Sequence, residues 1–153
     1  MATGGHRHGN GGDHVRASFM KLGDAALKYL EDTQQGQALV QEHNLDLEHL
    51  RAMNSIEVIS VVEGTLIDNN GSKVEAIGEP GKILLAGDLW LEHFERERDI
   101  YYLVLHELLR AAGIDDDNYV ISGAINPFPA SRKVGTRLKP LYTLLGDELL
   151  ADV

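Results

Sequence analysis

The sequence predicts a single α+β domain with N-terminal helices, a small antiparallel sheet, a central helix and a C-terminal helix. Three observations carry this expectation. Apolar residues recur at helical spacing from Ser18 to about His43, and again from about Glu95 to Ala112. Between them Ile56 to Ile67 is rich in β-branched residues and runs into Asp68-Asn69-Asn70-Gly71, a turn signal. The 153 residues, 43% hydrophobic and 25% charged, suit one domain with a proper core.

Residues 1–14, MATGGHRHGNGGDH, are glycine-rich and polar. Such sequence buries too little to order itself, so a flexible arm is expected there, with residues 15–153 forming the domain. Phe19, Leu22, Ala26, Leu27 and Leu30 then mark an amphipathic helix, which Gly36 is expected to divide in two. After Asn44, a candidate cap, Leu47, Leu50 and Met53 give a short further helix. The strand from Ile56 is interrupted at Gly64, and Ser72 to Ile77 reads as the return of a hairpin. Glu79-Pro80-Gly81 makes a second turn, and Lys82 to Ala86 a third strand. Ile100, Leu103, Val104, Leu108 and Ala111 stripe the clearest helix, with Gly113 as its C-terminal stop. Asp115-Asp116-Asp117-Asn118 is a loop, Ile121 to Ile125 one short turn, and Leu138 to Leu150 a last helix with Pro140 in its first turn.

Composition narrows the function classes. Lysine and arginine number 14 against 24 acids, a net charge of −10, which repels nucleic-acid phosphates; no dense basic patch overrides it. No apolar run approaches the ~20 residues of a membrane helix. The absence of cysteine removes disulfides, thiolate catalysis and zinc fingers. Ser122 has no G-x-S-x-G setting for a serine hydrolase, and the glycines at 9–12 follow no strand, so they form no phosphate-binding loop. Trp90 and Phe94, four residues apart, read as core, and His43, His49 and His93 as structural histidines. His6 and His8 alternate as a transition-metal pair would, but a solvated tail is the simpler reading of them. The aspartate run lacks the spacing of a calcium loop.

One stretch carries the chemistry, His106-Glu107-Leu108-Leu109-Arg110-Ala111-Ala112-Gly113-Ile114-Asp115-Asp116. Zinc hydrolases place two histidines at i and i+4 on one helix face, and a glutamate after the first takes a proton from the metal-bound water. His106 and Glu107 fit the first two places, while Arg110 stands where the second histidine would be. An always-protonated guanidinium cannot ligate a cation. Arg110 is expected instead to pair with Glu107 or with one of Asp115, Asp116 and Asp117, filling by charge the space of a metal.

HELLRAAGIDD resembles the zincin metallopeptidase helix, and with Gly113 and Asp116 it is similar to the extended HExxHxxGxxH/D pattern of metzincins. That resemblance implies His106 and Asp116 as metal ligands, zinc as the metal and Glu107 as the catalytic base. Arg110 departs from the pattern, and in a hydrolase it would have to act catalytically as an oxyanion stabiliser instead of a ligand. KILLAGDLW sits where zincins carry a substrate-binding edge strand. More broadly the chain resembles uncharacterised exported bacterial proteins with a GGHxHGNGGD-like N-terminus and a central HE segment followed by Tyr and Ile-Ser, here Gly4 to Asp13, His106 to Asp117, Tyr119, Ile121 and Ser122. It implies a periplasmic or extracellular location, although the chain opens on no apolar leader segment and a cytoplasmic one stays open. Two functional readings follow. In the first the protein is an exported zincin-like module with a degenerate site, binding a peptide or protein ligand without catalysis. In the second it is a metal-dependent peptidase using His106 and Glu107.

Overall fold

The computed structural model describes residues 2–95 and 99–128. Val15, Phe19, Ala26, Leu27 and Leu30 are excluded from solvent and, at helical spacing, fix one face of helix α1 (Ala2–Asp32) against the core. The periodicity placed no helix before Ser18, yet α1 begins at Ala2. The helix continues outward from Val15 and Phe19 through the glycine-rich opening, although glycine is a poor helix former. The break after α1 falls at Thr33, not Gly36. Thr33 Oγ1 accepts from Gly36 N at 2.9 Å and donates to Tyr29 O at 2.7 Å, capping α2 (Gln34–His43). Asn44 ends α2 in the left-handed region, and Asp46 rather than Asn44 caps α3 (Leu47–Met53). Asn54, buried at the end of α3, donates to Met20 O and Asp24 Oδ1, both at 2.9 Å, and ties α3 to α1.

Five strands follow, β1 (Ile59–Val62), β2 (Leu66–Ile67), β3 (Lys73–Val74), β4 (Ala76–Glu79) and β5 (Lys82–Ala86). The turn expected at Asp68–Gly71 closes the β2–β3 ribbon, with Asp68 Oδ1 accepting from Asn70 N and Ser72 N at 2.9 Å. The other three strands form a sheet of order β1-β5-β4. Lys82–Ala86, which the resemblance implied as an edge strand, is instead the central strand, paired by β1 on one side and β4 on the other. It is mixed, not antiparallel as expected: β4 and β5 are a hairpin, but β5 pairs in parallel with β1, Ile59 opposite Ile83 and Val61 opposite Leu85. The ribbon and β4 carry the chain back, so β5 runs in the direction of β1. Ile59, Ile83 and Leu85 become fully buried at this junction.

β5 passes straight into α4 (Gly87–Glu95), a helix the periodicity did not reveal. Trp90, fully buried, meets Phe19 edge-on at 5.3 Å and Phe94 at 6.0 Å, the core role expected of the pair. The central helix α5 (Tyr101–Ala111) starts later than Glu95 and stops as expected, with Gly113 at φ 80°. Val104, Leu105, Leu108 and Leu109 are fully buried among α1, α3, β4 and β5, so truncating Leu105 to alanine costs about 2–5 kcal/mol. Two 3₁₀ turns, Asp117–Tyr119 and Ser122–Ile125, close the described chain. The architecture is thus a single α+β domain. The helix expected over Leu138 to Leu150 lies outside the described residues. Among the described residues no helix is long and apolar enough to cross a membrane.

Candidate functional site

His106 and Glu107 are neighbours on α5, so their side chains leave the helix about 100° apart. His106 turns toward the loop after α5. Glu107 turns toward β4. Both are 8% exposed, unusual for charge-bearing side chains.

On the loop side, Asp116 is 1% exposed and all its lone pairs are in use. Its Oδ2 accepts from His106 Nδ1 at 2.7 Å and from Ser122 Oγ at 2.5 Å. Its Oδ1 accepts from Ile121 N at 2.6 Å and Ser122 N at 3.1 Å. Burial pushes the carboxyl up, but the bonds from His106, Ser122 and the two backbone amides outweigh it and hold Asp116 below the ordinary aspartate value. Asp116 is therefore a carboxylate that fixes the imidazole through Nδ1–H. Tyr119 covers the ring from the other side, stacked at 4.2 Å. The backbone of Tyr119 sits at φ 58°, a left-handed conformation that costs a bulky residue about 1–3 kcal/mol.

On the β4 side the carboxyl of Glu107 is unsupported. Its Oε1 is buried and accepts no hydrogen bond among the described residues. Burial raises the Glu107 pKa to about 7, against the lowering effect of the His106 and Arg110 charges and with help from Glu75 and Asp116. Gly78 of β4 makes this approach feasible, since a Cβ there would stand 2.6 Å from Glu107 Oε1 and 3.0 Å from Arg110 Cβ. The pairing expected of Arg110 does not form. Its Nε donates to Gly78 O at 3.0 Å instead, and among the described residues it bridges to neither Glu107 nor the acids at 115–117. The acids are drawn elsewhere. Asp116 is pulled beneath His106, and Asp115 Oδ1 accepts from Asp117 N at 2.9 Å.

Between α5 and β4 opens a cleft of about 520 Å³, lined by His106, Glu107, Arg110, Tyr119, Glu75 and Trp90, among others. A second cleft of about 710 Å³ shares Glu75, Leu103 and Tyr119 with it. Glu75 takes a very short contact from His93 Nε2, and its carbonyl accepts from Trp90 Nε1 at 2.8 Å. Sequence reasoning missed Glu75, Gly78 and the role of His93. Glu75 and His93 are 18 residues apart, and only the β4–β5–α4 path brings them together. The alternation on either side of Gly78 was the available signal: a glycine inside a strand marks a close approach.

The four residues the resemblance singles out thus gather within one region, but in a different relation. Asp116 lies behind the imidazole, not beside it, and has no lone pair left to offer a cation. Among the described residues no group of three or more His, Asp or Glu side chains is arranged to hold a metal ion. What the arrangement offers is a fixed imidazole, a buried carboxyl poised near neutral pH, and an exposed guanidinium at the cleft rim. Comparison with known proteins finds no matching family model, no matching curated protein and no matching solved structure.

Proposed function

We propose that this chain is an exported zincin-like binding module that receives a peptide or protein segment in the cleft between α5 and β4 and does not cleave it. One observation carries the reading. The position of the second zincin histidine holds Arg110, whose Nε is tied to Gly78 O, while Asp116 is saturated behind His106. β4 is an end strand of its sheet, and in an antiparallel ladder alternate backbone groups point away from the partner. Gly78 O is one of these, so Arg110 caps this free edge. His106, Glu107, Arg110 and Tyr119 then serve as recognition groups. Export rests on the resemblance alone.

The second reading, a metal-dependent hydrolase, has one observation in its favour. Asp116 engages Nδ1 of His106, the arrangement that directs Nε2 toward a metal or a proton-transfer partner. Untagged protein dialysed against zinc separates the two, when followed by metal analysis and a peptide-cleavage assay. Substoichiometric zinc and no cleavage are expected. Stoichiometric zinc with cleavage that disappears in Glu107→Gln overturns the module and establishes the hydrolase.

A further inference from the structure

We infer that the cleft between α5 and β4 recognises a basic side chain, the ammonium of a lysine or the guanidinium of an arginine, which seats against the carboxyl of Glu107. The inference rests on the binding-module reading and names the ligand group. Glu107 is more than nine-tenths buried, lines the cleft, and its Oε1 has no donor among the described residues. Buried acceptors are nearly always partnered, so a donor from beyond the described residues is the missing component, and the open cleft is where a ligand brings it. The carboxyl torsion of glutamate is broad, so either oxygen turns to the ligand at little cost.

The rest of the wall suits an organic cation. Glu75 contributes a second carboxylate. Tyr119, 39% exposed, supplies aromatic surface, and Ile77, Leu89 and Leu103 an apolar lining for an aliphatic stem. The two cations of the cleft, Lys73 and Arg110, are exposed and so belong to its rim, where they meet the backbone carbonyls or carboxylates of the same ligand. A metal cation fits less well, because no second and third ligand converge with Glu107 among the described residues.

The test compares three probes on the intact chain by isothermal titration, with NMR to locate the site: acetyl-Ala-Ala-Lys-Ala-amide, the same peptide with norleucine for lysine, and n-butylguanidine. The lysine peptide is expected to bind roughly tenfold or more tighter than the norleucine peptide, a difference of about 1.4 kcal/mol. The shifts should centre on Glu107 and Tyr119, and Glu107→Gln, which keeps the shape of the side chain, should abolish the preference. Equal binding of the two peptides in the cleft overturns the basic-group inference and leaves the peptide reading standing. Binding of n-butylguanidine that depends on Glu107, with neither peptide bound, supports the inference and overturns the peptide reading. Failure of all three probes to bind overturns both.

Discussion

The two sides of α5 solve the same problem differently. Toward the loop, His106 meets Asp116, and every buried polar atom of the pair's carboxylate is matched by a donor. Toward β4, Glu107 is as buried as His106, and among the described residues its Oε1 is matched by none. A satisfied network rigidifies a fold, whereas an unsatisfied buried group lowers stability and persists only where something else compensates. The loop side therefore holds the site in shape, and the β4 side is where a ligand has something to supply.

The largest expected effect breaks the satisfied side. Asp116→Ala leaves His106 Nδ1, Ser122 Oγ and two buried amides without their acceptor, and should cost about 3–5 kcal/mol in urea unfolding. Tyr119, strained at φ 58° and stacked on the imidazole, should lose its fixed position as well, visible as averaged ring signals in NMR.

Titration sharpens the comparison, because the two carboxyls pull stability in opposite directions. Asp116 is held below its ordinary value of 3.8, so its contribution is present above that pH and is lost as the pH falls through the depressed value. Glu107 is raised from 4.5 to about 7, so the fold is most tolerant of it below 4.5 and loses stability as the pH climbs from there to about 7. Glu107→Gln should remove that decline and stabilise the protein above pH 7 by up to about 3 kcal/mol, with little change near pH 4. Melting curves across that range read both arms.

A smaller effect comes from closing the gap on the β4 side. Gly78→Ala puts a methyl 2.6 Å from Glu107 Oε1 and 3.2 Å from Glu107 O, and should cost about 1–3 kcal/mol while weakening peptide binding in the cleft. The smallest change in stability is expected at Arg110. Arg110→Ala removes one partly buried bond to Gly78 O, about 1 kcal/mol. Arg110→His restores the i,i+4 histidine pair and should raise zinc affinity at least roughly tenfold over the parent chain in a competition titration. Unchanged zinc affinity would mean that this helix face was never shaped for a metal.

Helix α5, its stop at Gly113, the hairpin turns at 68–71 and 79–81 and the core position of Trp90 were legible because each depends on short-range spacing or on a residue with restricted backbone freedom. The parallel pairing of β1 with β5 was not, since residues 63–81 separate the strands and nothing local records direction. α4 escaped notice because it starts directly at the end of β5 and carries few apolar residues at helical spacing, Leu89, Trp90, Leu91 and Phe94. At the site, the helical placement of His106 and Glu107 followed from periodicity and the inclusion of Asp116 from the resemblance, whereas the stacking of Tyr119 on the imidazole was not foreseen. The partners of Arg110 and Asp116 did not follow. Opposite charge favours Arg110 with a nearby acid, but the 3₁₀ turn at Asp117–Tyr119 carries Asp116 under the imidazole, and β4 offers Arg110 a carbonyl first.

The contrast between the two faces of α5 turns on the state of one carboxyl. Carbon-13 NMR titration of the Glu107 side chain, assigned by comparison with Glu107→Gln, measures it directly. A midpoint near 7 is expected for a buried, unpartnered carboxyl at the cleft floor. A midpoint at the ordinary 4.5 would show Glu107 to be solvated or already paired, and would contradict the account.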